Sequence, residues 1–124
     1  MFDVKTLFNS DVVTFFEGVP DKDVLEPGGV GVNAKLFPQI KLYYKKAKQN
    51  MACRVLADIC MDIQDDGYIG RQEDSAIRVG THWTTINRWR ARFANDELLK
   101  RHNLNGLFSV DAKVAIRLGV DSKI

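Results

Sequence analysis

Asn87, Arg88 and Arg90 crowd into one short stretch, Thr84-Thr85-Ile86-Asn87-Arg88-Trp89-Arg90. A carboxamide and a guanidinium fork are the side-chain groups that grip the edges of adenine and guanine with paired hydrogen bonds. Each well-made pair of this kind discriminates between bases by about 1–3 kcal/mol. Ile86 and Trp89 recur among them at helical spacing and suit a core. With those two turned inward, His82, Trp83, Thr84, Asn87, Arg88 and Ala91 face outward. Trp83 reads as a contact to a thymine methyl group, as part of a protein interface, or as a ring turned inward from a non-standard turn. Arg90 and Arg92 read as phosphate clamps rather than base readers.

A helix that reads bases has to be propped by a second one. In Gln72 to Ala91, QEDSAIRVGTHWTTINRWRA, Ala76 is small enough for a close helix crossing and Val79 points inward. Gly80 tolerates the positive φ of a sharp turn. Thr81 or His82 can cap the following helix, whose N-terminus favours a phosphate. The expected mechanism is insertion of residues 82–91 into a major groove of double-stranded DNA.

These residues resemble the helix-turn-helix DNA-binding proteins. Their pattern places a polar residue first, Ala fifth, Gly ninth and apolar residues fifteenth and eighteenth, and Gln72, Ala76, Gly80, Ile86 and Trp89 fill those places. The wider stretch VLADICMDIQDDGYIGRQEDSAIRVGTHWTTINRWRARF is similar to winged modules of phage and plasmid replication proteins. The resemblance implies that Gln72 binds a phosphate and that Trp83 to Arg88 face bases. Thr81 and His82 depart from the pattern, which usually has an apolar residue and then Ser. No clear wing is written beyond Arg92, and Asn105-Gly106 is the one candidate tip.

The rest of the chain is expected to be mainly α. Leu7, Phe8, Val12, Phe15 and Phe16 recur at three and four and predict a helix over 3–18. Glycines and prolines then mark a long loop, so residues 1–37 read as an N-terminal helical appendage and 38–124 as the DNA-binding domain. Pro38 to Asp62 reads as one long helix with an apolar stripe through Ile40, Tyr44, Ala47, Met51, Val55, Ile59 and Ile63. Asp65-Asp66-Gly67 ends it, and Tyr68-Ile69 suits a very short strand. A helix from Asn95 or Asp96 to about Arg101, a hairpin turn at Asn105-Gly106 and a last helix over 111–118 complete the expectation. The pentad Ala76 to Gly80 recurs as Ala115 to Gly119, which reads as coincidence.

Charge is uneven. Residues 1–34 carry two cations and six anions, or −4; residues 35–58 carry six and one, or +5; residues 71–104 carry seven and four, or +3. A basic middle fits one face meeting a polyanion. Lys41, Lys45, Lys48, Arg71, Gln72, Arg90 and Arg92 are the candidate phosphate contacts. A lone module binds weakly, so a homodimer or higher assembly on repeated half-sites is expected. Its candidate interface lies within residues 1–34, because Phe8, Phe15 and Phe16 show no core of their own.

Other chemistries fit less well. Residues 62–73 match a calcium loop at Asp62, Asp66 and Glu73, but Gln64 is poor at the third place, and a turn before the next helix explains the same residues. The glycines at 28–31 lack the Lys-Ser/Thr of a nucleotide loop. His82 and His102 lack partners at metal spacing. No enzyme, cofactor or metal is expected. No apolar run approaches the ~20 residues of a membrane span, and MFDVKTLF lacks the marks of a secretory signal. Two thiols seven apart on one helix lie too far from each other to bond, which suits a reducing cytoplasm. A small phage- or plasmid-type transcriptional regulator is the first expectation. A replication-initiation or partition protein on origin repeats is the second, and a helical scaffold or adaptor without DNA the third.

Overall fold

The computed structural model describes residues 4–8, 11–43, 49–103 and 106–119. Among them are four helices and five strands in two small sheets, so the fold is mixed α/β and the expectation of a mainly α protein is corrected.

The correction begins at the N-terminus. Val12 to Phe16 is a β-branched and aromatic run, and such side chains suit a pleated surface. It forms strand β1 (Val13–Phe16), preceded among the described residues by a 3-10 turn at Val4–Leu7, where a helix over 3–18 was expected. Strand β2 (Val30–Asn33) lies beside β1 in parallel, with Val13 opposite Val30 and Phe16 opposite Asn33. On its other edge β2 pairs antiparallel with β5 (Ala115–Arg117), Val32 opposite Ala115. Residues expected to form a final helix therefore close this sheet instead. Gly31 sits under the Phe16 ring: a Cβ there would come within 2.8 Å of Phe16 Cε2 and 3.1 Å of Pro20 Cβ. Phe8 is buried, edge-on to Phe15 and to Phe37 with ring centroids 5.5 Å apart in each case. The described part of 1–37 is thus built into the common core rather than hung from it.

Asn33 leads into helix α1 (Leu36–Tyr43): its Oδ1 accepts from Lys35 N, and its Nδ2 donates to Lys113 O beside β5. Helix α2 (Gln49–Met61) packs back against α1, with Cys53 Sγ 3.9 Å from Phe37 O. In one straight helix these residues would stand about 24 Å apart at 1.5 Å per residue. The single helix expected from Pro38 to Asp62 is therefore two. Tyr44, Lys45 and Lys48, with Ala47, lie outside the described residues.

Helix α2 is the centre of the core. Ala52, Cys53, Val55, Leu56, Ala57, Ile59 and Cys60 are all buried. The turn that follows is built as its residues imply, with Asp66 Oδ1 accepting from Tyr68 N and Gly67 at φ 87°. Helix α3 (Gln72–Val79) and helix α4 (Trp83–Asn95) follow, then a hairpin of β3 (Leu99–Arg101) and β4 (Phe108–Val110), Leu99 opposite Val110. The helix expected from Asn95 to Arg101 is replaced by the end of α4 and β3. Glu97, at φ 65°, turns the chain between them. The two pentads share only a left-handed glycine, since the first ends a helix and the second contains β5.

Candidate nucleic-acid interface

Helix α3 is fastened to α2 by polar bonds. Asp58 on α2 accepts from Ser75 Oγ and from Arg78 Nε and Nη2, and Arg78 Nη2 also lies 3.0 Å from Asp62 Oδ2. Hydrogen bonding to Asp58 holds the Arg78 guanidinium well above its ordinary range. Burial raises the Asp62 carboxyl, and the Arg78 charge opposes that rise. At the far end Arg54 donates to Val79 O, satisfying a last-turn carbonyl. Arg54 and Arg78 therefore tie α2 to α3.

The turn and the second helix follow. Gly80 has φ 82° and ψ 40°, and Gly80 N and Thr81 N both donate to Ala76 O. His82 is the cap of α4, its Nδ1 accepting from Thr84 N at 3.2 Å and lying 2.8 Å from Thr84 Oγ1. Ala76, Val79, Ile86, Trp89 and Phe93 are buried, with Trp89 and Phe93 stacked at 5.5 Å. His82, Asn87 and Arg88 are exposed, Thr84 and Ala91 half-buried. Trp83 is 44 % exposed, so its ring is not turned into the core.

Arg90 departs from expectation. It is only 2 % exposed, whereas a phosphate clamp on the outer face was anticipated. Residues 86, 90 and 93 share one face of a helix at the i, i+4, i+7 spacing. Ile86 and Phe93 define that face as the core, and Arg90 lies between them. Its Nη1 donates to Gly70 O at 2.8 Å, while Nε and Nη2 are buried without a hydrogen-bond partner. Burial pulls this guanidinium below its ordinary value, and the carboxylates of Asp62 and Asp58 oppose the shift.

The other phosphate candidates scatter. Arg71 is exposed and 3.5 Å from Glu73, Gln72 is half-buried at the start of α3, and Arg92 is exposed 3.8 Å from Asp96. Lys41 belongs to α1 on another part of the fold. The carboxylates of the calcium-loop alternative serve the protein: Asp62 accepts from Gly70 N and Gln64 Nε2, Asp66 from Tyr68 N, and Glu73 pairs with Arg71.

The hairpin adds two cations that are not among the candidate phosphate contacts. Lys100 and Arg101 are exposed on β3, directly after α4, with the Arg101 guanidinium 5.1 Å from the centre of the Phe108 ring. The hairpin is fixed to the turn before α3 by Ile69 N donating to Phe108 O and by the edge-on contact of Tyr68 with His102. A groove of about 790 Å³ runs between the start of α3, Asn87 of α4 and the hairpin, and Arg101 and Asn103 line its far side. Of the candidate tip Asn105-Gly106, Asn105 lies outside the described residues and Gly106, at φ 86°, stands between β3 and β4; the first strand was hidden in residues that suit a helix.

Comparison with family models, with curated proteins and with solved structures finds no match to this chain. Among the described residues no helix is long and apolar enough to cross a membrane.

Proposed function

We propose that this chain binds double-stranded DNA sequence-specifically, as a small transcriptional regulator of the phage or plasmid type, with residues 82–91 entering a major groove. One observation carries the reading: Asn87 and Arg88 stand exposed on α4 opposite the buried Ile86, Trp89 and Phe93. A rigid helix presenting a carboxamide and a guanidinium has the donor geometry for purine edges. The left-handed turn at Gly80 and the bonds from α2 to α3 fix its angle. Arg71, Arg92, Lys100 and Arg101 are exposed cations flanking it and suit backbone phosphates.

The hairpin after α4 supports a second reading, a replication-initiation or partition protein on origin repeats, because it stands where the winged modules have their wing. Either role calls for a homodimer or higher assembly on repeated half-sites. The aromatic N-terminal segment loses its case as the interface, since Phe8 is buried in the core and Phe15 packs on it. Selection of bound duplexes from a random pool tests the function. A defined motif, repeated at fixed spacing, is the expected result. Recovery of no motif, together with no shift of any duplex on a gel, sinks the proposal and leaves an adaptor without DNA.

A further inference from the structure

Arginine keeps its charge and five donors wherever it is placed, so a buried one is ordinarily paired. Arg90 is not. Only its Nη1 has a partner, Gly70 O, while Nε and Nη2 have none. Gly70 and Arg90 both line the groove described above. The same wall continues into Arg71 and Gln72, where α3 begins with no cap hydrogen bond from the Arg71 side chain. Arg101 and Asn103 face them from the hairpin. Unpaired guanidinium donors and a facing guanidinium share one complement, an anion with several oxygen acceptors.

We propose that this groove seats a phosphate group, with Arg90 at its floor, the first turn of α3 on one wall and Arg101 on the other. Both unpaired nitrogens are shielded from solvent. The phosphate meets them when the guanidinium turns from Gly70 O toward the groove. Asp66 and Glu73 also line it and oppose an anion, which keeps the affinity modest. The phosphate comes from a DNA backbone or from a free phosphate-bearing molecule. The seat depends on the DNA-binding reading only in the first case.

Calorimetric titration of the full chain with inorganic phosphate, with chloride balancing ionic strength, tests the second source. The salt dependence of duplex binding tests the first. Arg101→Ala and Gln72→Ala are the groove variants, and Lys113→Ala removes a cation outside it. Saturable phosphate binding, weakened at least about five-fold by the groove variants but not by Lys113→Ala, assigns the seat to a free phosphate group. Absence of phosphate binding, with a log–log salt slope shallower by about 0.9 in Arg101→Ala alone, assigns it to the DNA backbone. No phosphate binding and equal slopes in all variants overturn the seat while leaving DNA binding intact. Phosphate binding without any duplex binding defeats the proposed function and leaves the seat standing. Arg90→Met keeps the stem and removes the donors. If it folds it must lose the same response as Arg101→Ala, and if it does not the groove variants decide.

Discussion

At the scale of single residues, the proposed function rests on side chains that do little for the fold. Arg88 is exposed, so Arg88→Ala should change the folding free energy by no more than an ordinary surface substitution does, about ±0.5 kcal/mol. Specific binding should fall roughly 5- to 150-fold, the equivalent of about 1–3 kcal/mol, while binding to unrelated duplexes falls less. Gel-shift titration with and without competitor measures both, and specific binding that survives intact removes Arg88 from the base contacts. Gly80 is the reverse case. A Cβ there meets nothing within 4 Å, yet φ is 82°. Gly80→Ala should cost about 1–2 kcal/mol through backbone strain alone. An unchanged melting curve would show that the turn relaxes to another geometry. The turn was legible because glycine suits a left-handed conformation, and the exposure of Asn87 and Arg88 because helical spacing turns Ile86 and Trp89 inward. Arg90 was misread because its charge argued for solvent while its spacing from Ile86 and Phe93 argued for the core. Leaving a buried donor unmade costs about 1–3 kcal/mol, which is why charge looked the safer guide.

At the scale of elements, local signals succeeded where the partner was local. The turn at Asp65-Asp66-Gly67 and the pair α3–α4 are short-range structures, and composition marks their ends. β1, β2 and β5 are joined by pairings between residues 13–16, 30–33 and 115–117, so no window of sequence contains the evidence for the sheet. Leu7, Phe8, Val12, Phe15 and Phe16 satisfy a helical period by accident of a short run. The face of α3 can be tested by contrast. Ile77 is 80 % exposed and Ile86 is fully buried. Ile77→Ser should be nearly neutral, whereas Ile86→Ala should cost about 2–5 kcal/mol in denaturant melts. Equal costs would mean that the helix faces are assigned wrongly. The polar link between α2 and α3 carries a pH signature. Burial raises the Asp62 carboxyl above its unfolded value. Such a group contributes stability that is fully present below the unfolded value and lost as pH rises through the folded one. Asp62→Asn removes that titration, so its cost should be larger at about pH 3.5 than at pH 7. Denaturant melts at the two pH values check the sign. A larger cost at neutral pH would mean that pairing with Arg78 outweighs burial.

At the scale of the whole molecule, helix α4 and the sheet share one buried cluster. β2 is the middle strand of its sheet, and Val30 and Val32 sit in the same buried cluster as Ile59 of α2 and Ile86 of α4. Val32 and Ile86 are each fully buried. Deleting residues 1–34 removes β1, β2 and Phe8, strips β5 of its partner and opens that cluster to water. Each large apolar side chain so exposed forfeits about 1.5–3 kcal/mol of burial, and several are lost at once. That sum rivals the 5–15 kcal/mol by which a domain of this kind is held folded. The truncated chain should therefore lose its cooperative thermal transition by far-ultraviolet circular dichroism, and with it all duplex binding, although no proposed DNA contact has been touched. Val32→Asp should do the same from a single position. A truncated chain that melts cooperatively near the full-length temperature and still shifts duplexes would show that residues 35–124 fold alone, and the sheet would then be an accessory to the helices rather than the frame that aims them.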